Sequence, residues 1–253
     1  MLKGQGVVSR VGAGGKTTLM FKLAQEISRA GQPVLTTTTT KIIVPEPEQS
    51  SCLIVSDSVE TIVNKARDLL KKKTLHITVA ASLGQHENKL IGLKPQSVDL
   101  LAQANLFRWI LVEADGASGK PLKVPANHEP VIPESTKLVI GLVGLNVVGK
   151  PFTNEWVHRP ELFSSMTGLA AGREIGTAAV CDVLMHDQGI FKDTPANALR
   201  IVFLNQADVS RGLDAGKQIA SLIVKQKKAD LKRIIIGQLA KKPPVLEYYD
   251  MSN

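Results

Sequence analysis

The feature that most constrains the fold is a glycine-rich turn between a strand-like segment and a helix-like segment near the start of the sequence. Residues 6–11 are mostly apolar and predict a strand, residues 12–15 read Gly-Ala-Gly-Gly, and a helical pattern runs from Lys16 to Ala30. Glycines let backbone N–H groups converge, and the start of a helix adds unpaired donors and a positive dipole end. This order of elements predicts a cradle for phosphate.

The turn continues into residues that complete a phosphate loop of the P-loop type, Gly12-Ala13-Gly14-Gly15-Lys16-Thr17-Thr18. The Lys16 ammonium is expected to contact the β- and γ-phosphates of ATP or GTP, and the Thr17 hydroxyl to bind Mg²⁺. The common pattern has glycine where this chain has Arg10. The loop is therefore either compact or begins with another residue, and compact loops of this kind resemble those of the Mur-type ligases.

Strand-like and helix-like segments alternate along the rest of the chain. Apolar runs at 33–38, 51–55, 75–80, 107–113, 138–143, 199–204 and 233–236 alternate with helical patterns at 58–73, 95–104, 174–186 and 215–228. Asp57 and Ser58 are candidate caps of the helix at 58–73. The alternation predicts an α/β fold, three-layer and P-loop NTPase-like, with a mostly parallel sheet and helices on both faces. We expect a single domain over residues 1–253, with an irregular insertion around 144–173.

Two carboxylates follow the strongest strand pattern. Glu113 and Asp115 are two positions apart, so they are expected to project to the same side at the carboxyl end of a strand, where ligands of parallel sheets bind. Either acid is suited to hold Mg²⁺ directly or through water, and Asp115 is also, with Lys16, a candidate catalytic residue. The alternative is an aspartate that caps the turn at Gly116.

A run of threonines, Thr36 to Thr40, followed by Lys41, ends the second strand pattern. Near bound phosphates, these hydroxyls would position a water molecule or Mg²⁺, and Lys41 would meet the γ-phosphate as a catalytic group. The alternative is that the threonines serve as ordinary β-branched strand residues.

A long segment rich in glycine, proline and lysine follows Asp115. It carries Lys120, Lys123, His128 and Glu129, and long loops in compact domains tend to be functional. The segment either folds over the ligand and supplies cations to an anion, or is an exposed basic loop stiffened by prolines.

A second strand end, Asn205-Gln206-Ala207-Asp208, resembles the Asn-Lys-x-Asp signature of GTPases. In that signature the aspartate binds the guanine base and the asparagine holds the loop. Gln206 replaces the usual lysine, which leaves the preference between ATP and GTP open. A turn built from Asn and Asp is the alternative.

Charge and cysteine content limit the kinds of partner that the protein is expected to bind. The chain has 31 basic and 23 acidic residues and a net charge of +8. Its basic clusters lack interleaved aromatic residues, which favours solvated helix faces over a nucleic-acid surface. The two cysteines form no CxxC pair, and no signal peptide or apolar run of about 20 residues is evident. We expect a cytoplasmic protein with no membrane contact.

Several of these segments together resemble the YqeC family. The resemblance rests on residues 11–18, the threonines ending at Lys41, residues 112–117 with Lys120-Pro121, His128-Glu129-Pro130, Arg159-Pro160 and residues 205–208. Members of that family are described as accessory proteins of selenium-dependent molybdenum hydroxylases. The resemblance implies a partner among such hydroxylases or cofactor-maturation proteins, with Lys16 and Thr17 in the phosphate and magnesium roles and Asp115 or Glu113 in the second metal position.

Three functions fit these predictions. The first is an NTP-hydrolysing maturation factor that changes conformation and acts on a partner. The second is an ATP-dependent ligase or kinase-like enzyme that acts on a small anionic substrate. The third is a scaffold that binds nucleotide without turnover.

Overall fold

The computed structural model describes residues 4–85, 88–226 and 230–251. Strands and helices alternate along the chain. The strands are β1 (Gly6–Gly12), β2 (Val34–Thr38), β3 (Lys41–Ile43), β4 (Leu53–Val55), β5 (His76–Ala80), β6 (Ser82–Leu83), β7 (Lys89–Ile91), β8 (Trp109–Glu113), β9 (Leu122–Lys123), β10 (Thr136–Gly144), β11 (Val157–His158), β12 (Leu199–Asn205), β13 (Leu231–Gly237) and β14 (Val245–Asp250). The helices are α1 (Lys16–Arg29), α2 (Val59–Lys71), α3 (Pro95–Gln103), α4 (Pro160–Thr167), α5 (Thr177–Met185) and α6 (Gly212–Lys225), with one 3₁₀ turn at Leu145–Val147.

In each part of the described chain, the strands of the main sheet are mostly parallel. The chain divides into two compact units, one of Met1–Arg10, Thr17–Gly116 and Val131–Lys137, the other of Val11–Lys16, Ala117–Pro130 and Leu138–Asn253. In the first unit the strand order is β1-β8-β2-β5-β4 and every pair is parallel. In the second unit the order is β10-β12-β13-β14, and only the last pair is antiparallel. The predicted α/β fold is confirmed, whereas the single domain with an insertion stays a prediction.

The first unit has helices on both faces of its strands. Ile62 of α2 and Val98 of α3 share one apolar core with Val112 of β8. Because side chains alternate along a strand, the next residue, Glu113, points to the opposite face. There it meets the hydroxyl of Thr17 at the start of α1. A short antiparallel sheet, β3-β7-β6, is also part of this unit.

The second unit contains the stretch whose sequence pattern is the weakest. Residues 144–173 include the 3₁₀ turn, β11 and α4, and β11 pairs in parallel with β9. Helix α4 begins with Pro160 directly after Arg159, whose φ of 65° is left-handed. Proline suits the first turn of a helix because the N–H it lacks would have no intrahelical partner.

Some elements differ from the sequence prediction. β2 ends at Thr38 and Lys41 begins the separate strand β3, so Lys41 does not end the second strand as predicted. The edge strand β14 had not been predicted. The end of the helix predicted at 215–228 lies outside the described residues, as do His86 and Glu87. Across the described ranges, none of the helices has the length and apolar character needed to cross a lipid bilayer.

Candidate functional site

The turn after β1 approaches neighbouring backbone so closely that side chains are excluded. Gly12, Gly14 and Gly15 have φ values of 89°, 79° and 130°. A Cβ at Gly12 would lie 2.3 Å from the Leu142 carbonyl oxygen, and a Cβ at Gly14 would lie 2.3 Å from the Gly144 nitrogen. Both φ and space therefore require glycine. The loop is shaped by backbone contact with β10.

Two hydrogen bonds fix this loop within the second unit, and a third fixes the asparagine that makes one of them. The backbone N–H of Ala13 donates to the Leu142 carbonyl at 2.8 Å. The Nδ2 of Asn205, at the end of β12, donates to the Gly14 carbonyl at 2.7 Å. The Oδ1 of Asn205 accepts from the backbone N–H of Leu239 at 2.9 Å. Asn205 is buried, and both the nitrogen and the oxygen of its side-chain amide are hydrogen-bonded. It thus links the loop that is predicted to bind phosphate to Leu239.

The Lys16 side chain folds back over the loop. Its Nζ donates to the Gly12 carbonyl at 2.6 Å, and the residue is buried. Thr18, two residues further along the chain, is exposed. The ammonium thus lies on the loop itself, where a lysine of a phosphate loop is needed.

A polar row crosses the ends of three neighbouring strands in the first unit. Arg10 of β1 and Thr38 of β2 are both in register with Glu113 of β8. Paired residues of parallel strands project to the same face. The Thr17 hydroxyl donates to Glu113 Oε2 at 2.7 Å, and the Thr38 hydroxyl donates to the Glu113 carbonyl at 2.7 Å. Glu113 is therefore held from both sides.

Arg10 is the most unusual member of this row. It is fully buried, and Nε and both terminal nitrogens of its guanidinium have no hydrogen-bond partner in the described part of the chain. Burial lowers the pKa of Arg10 to about 9, and the nearby charge of Glu113 opposes that shift. Arg10 is therefore still cationic at neutral pH. A buried charge of this kind is costly unless a counter-charge lies close by.

The oxygen groups of the first unit suit magnesium. Thr17 supplies a hydroxyl and Glu113 a carboxylate that touch each other, and Mg²⁺ prefers such hard oxygen ligands. Asp115, two residues beyond β8, is fully buried. A hydroxyl that donates its proton to a carboxylate still has a lone pair for a metal ion. The groups present therefore fit Mg²⁺, with phosphates and water completing its coordination.

The buried threonines of residues 36–38 serve mainly to stabilise the fold. Thr36, Thr37 and Thr38 are fully buried, and the Thr37 hydroxyl donates to the Val79 carbonyl at 2.8 Å. Thr38 also accepts from the Thr40 backbone N–H at 3.0 Å, so its donor and a lone pair are both occupied. Lys41 is exposed and sits in β3 opposite Ile91. Its predicted catalytic role stays a prediction.

The segment that resembles the GTPase signature begins at Asn205, whose side chain contacts the phosphate loop. Gln206 has a left-handed φ of 64°. The Asp208 carboxylate forms an ion pair of 3.3 Å with the Lys241 ammonium. A base-binding role for Asp208 therefore competes with this ion pair, and it stays a prediction.

An ion cluster joins the segment after Asp115 to the start of α4. Glu129 Oε2 accepts from Lys123 Nζ at 2.7 Å and from Arg159 at 2.6 Å. Burial works to raise the pKa of Glu129, but the hydrogen bonds from Arg159 and Lys123 outweigh it and hold the pKa near 2. Lys123 is fully buried, whereas His128 is exposed. The segment is thus part of the second unit, and Lys123 forms an ion pair with Glu129 of the same segment.

His158 lies next to this cluster and pairs in register with Lys123. Burial lowers its pKa, the positive charges of Arg159, Lys123 and Lys16 lower it further, and the charge of Glu129 opposes them. The imidazole therefore lies within electrostatic reach of Lys16.

Comparison with known proteins places this geometry in a family. The family model described as YqeC protein matches residues 8–161. A relative from Escherichia coli (strain K12), called "Uncharacterized protein YqeC", is 32% identical over 244 residues, which cover 94% of this chain and 90% of the relative. The chain belongs to the YqeC family. The YqeC match spans the phosphate loop, Glu113, Asp115 and the cluster around Glu129, but it ends before Asn205.

A solved structure, FtsY from Mycoplasma mycoides, is similar to this chain with a TM-score of 0.45 and 14% identity. The alignment covers 97% of this chain, which spans 63% of that chain.

Sequence reasoning missed two features of the YqeC site. In the sequence Arg10 stands out as a departure from the glycine pattern, although an arginine inside an apolar strand is itself a signal of a buried partner. Arg159 was noted only as part of the family resemblance. Its contact with Glu129 joins positions 30 residues apart, which no local pattern reveals.

Proposed function

We propose that this YqeC-family protein binds and hydrolyses a magnesium–nucleoside triphosphate and serves as an accessory factor in the maturation of a selenium- or molybdenum-containing hydroxylase. The observation that carries the proposal is the backbone turn that requires glycine at Gly12 and Gly14, directly followed by Lys16 and by Thr17 with its hydroxyl on Glu113. This arrangement supplies backbone donors, a mobile cation and hard oxygen ligands along one continuous segment.

Each group has a distinct role in the proposal. The loop N–H groups and Lys16 bind the β- and γ-phosphates and offset the charge that develops during phosphoryl transfer. Thr17 and Glu113, with Asp115, hold Mg²⁺, which neutralises phosphate charge when bound. Asn205 keeps the Gly14 carbonyl in place. Intrinsic turnover is expected to be slow, because such proteins commonly need a partner to complete the site.

The test measures nucleotide binding and turnover separately. The wild type is melted with ATP, GTP or CTP, each with Mg²⁺, beside Lys16→Ala, Asp208→Asn and the control Lys65→Ala, an exposed lysine of α2. A shift for wild type and Lys65→Ala that Lys16→Ala loses supports the proposal, and no shift with any nucleotide refutes it. If Asp208→Asn weakens ATP and GTP equally, the base-binding role of Asp208 is refuted.

A second candidate, an ATP-dependent ligase or kinase-like enzyme acting on a small anion, is favoured by His158. Arg159, Lys123 and Lys16 act on this imidazole as cations and Glu129 opposes them, so positive charges outnumber negative ones around it. Phosphate release distinguishes the candidates. Acceleration by a hydroxylase partner supports the maturation factor, strict dependence on a small carboxylate or phosphate supports the enzyme, and tight binding without turnover leaves a non-catalytic scaffold.

A further inference from the structure

We propose that Arg10 acts as a resident counter-cation that keeps the magnesium site weak until a nucleoside triphosphate brings the metal with it. This inference rests on the proposed function and concerns the regulation of the same site.

The position of Arg10 supports this role. It is in register with Glu113 on the adjacent strand, so both side chains leave the sheet on the same face. Glu113 is the carboxylate that accepts the Thr17 hydroxyl. The guanidinium charge therefore acts on the acidic group that is proposed to hold Mg²⁺.

Burial makes this charge effective. Arg10 has no exposed surface and Glu113 is buried, so water does not screen them as it screens surface pairs. No hydrogen bond in the described residues ties the three guanidinium nitrogens to a particular acceptor. The charge of Glu113 acts to keep Arg10 ionised, and it is the same charge that a divalent cation would require.

The competition has a direct consequence for binding. A free divalent cation must approach a carboxylate whose charge is already offset, and it is repelled by the guanidinium. A triphosphate adds several negative charges beside the loop, which outweigh this repulsion. The protein is therefore expected to bind Mg²⁺ tightly when the nucleotide is bound and only weakly when it is absent.

The experiment measures Mn²⁺ alone as the probe, by electron paramagnetic resonance of the free ion, with the full chain and no nucleotide. The variants are Arg10→Met, which removes the charge, and Arg10→Lys, which retains a cation, with melting curves to verify folding. We expect the Mn²⁺ Kd of Arg10→Met to be at least about tenfold lower than that of wild type, and Arg10→Lys to remain close to wild type. Adding Glu113→Gln to Arg10→Met should abolish the gain.

Several outcomes overturn the proposal. It is wrong if Arg10→Met binds Mn²⁺ no more tightly than wild type, or if Arg10→Lys gains as much as Arg10→Met. Should Arg10→Met not fold, Arg10→Gln, which also removes the charge, decides in the same way, because its Mn²⁺ Kd must be at least about tenfold lower than that of wild type. Failure of the proposed function is distinguishable: wild type then shows no melting shift with any nucleotide, whereas the comparison of Mn²⁺ alone between wild type and Arg10→Met still stands.

Discussion

The side chain of Asn205 holds the carbonyl of Gly14 at 2.7 Å and at the same time accepts the Leu239 N–H at 2.9 Å. A single amide thus ties the phosphate loop to β12 and to the segment after β13. Loss of a buried partner costs about 1–3 kcal/mol for each polar group left unsatisfied.

We therefore expect Asn205→Ala to weaken nucleotide binding by about tenfold or more, because the freed Gly14 carbonyl lets the loop move. The Kd for a fluorescent nucleotide measures this, with the exposed Asn127→Ala as control. Unchanged affinity in Asn205→Ala would show that the loop does not depend on this tether.

Gly14→Ala should abolish nucleotide binding and destabilise the protein by about 1–3 kcal/mol, because its Cβ would meet the Gly144 nitrogen at 2.3 Å. Gly119→Ala is a matched control, since Gly119 has a similar φ of 74° but nothing within 4 Å of its Cβ. Titration calorimetry and urea unfolding measure the two effects. Equal losses in both variants would mean that left-handed strain, and not the close contact, is responsible.

Thr17→Ala should remove the advantage that Mg²⁺ gives to nucleotide binding, whereas Thr17→Ser should retain most of it because serine keeps a hydroxyl for Glu113. The readout is the nucleotide Kd with Mg²⁺ divided by that with EDTA. The neighbouring Thr18→Ala, at an exposed position, serves as control. A full Mg²⁺ effect in Thr17→Ala would exclude Thr17 as a metal ligand.

Glu129→Gln should lower the free energy of unfolding at pH 7 by about 3–5 kcal/mol, because buried Lys123 loses its counter-charge. The pKa of Glu129 near 2 lies below its ordinary 4.5, so this stabilisation is complete above pH 4.5 and declines as the pH falls toward 2. Urea unfolding at pH 7 and pH 3 should thus show that the difference in the free energy of unfolding between wild type and Glu129→Gln is smaller at pH 3. The exposed Glu134→Gln should behave as wild type at both.

His76 should make the first unit acid-sensitive. Burial lowers its pKa from 6.5 to about 4, and the ring shares a hydrogen bond of 3.0 Å with the Thr36 hydroxyl. Stability is therefore full above pH 6.5 and falls by about 3 kcal/mol as the pH drops to 4. NMR titration of the ring measures the pKa directly, with exposed His128 as reference. A His76 resonance that titrates near 6.5 contradicts the prediction.

Local signals predicted the elements that depend on local physics. Helix α2 was expected at 58–73 with Asp57 or Ser58 as its cap, and it runs Val59–Lys71 with the Ser58 hydroxyl accepting the Thr61 N–H. Its apolar periodicity and its cap both lie within one stretch of sequence, so they needed no tertiary information. The loop glycines were likewise visible, because a turn before a helix demands them.

Features that depend on distant contacts were not visible. Strand β14 follows two prolines and, in the described ranges, pairs with β13. Val245, Tyr248 and Tyr249 favour a strand, but the segment is short and its pairing depends on a second strand, which its own residues do not reveal. The sequence predicts Lys123 either as an exposed loop cation or as a ligand group, yet it is buried with Glu129 as a counter-charge, and Glu129 also binds Arg159. The orientation of Arg10 toward Glu113 likewise depends on β8 lying beside β1, although the two strands are about a hundred residues apart in sequence.

The tethers from Leu142 and Asn205 to the phosphate loop have a consequence for the kinetics of binding. A loop that is already fixed by strands β10 and β12 loses little backbone entropy when a phosphate arrives, in contrast with loops that fold around their ligand. Association should then be a single concentration-dependent step without a slow isomerisation, and its rate should fall with ionic strength because Lys16 attracts the anion.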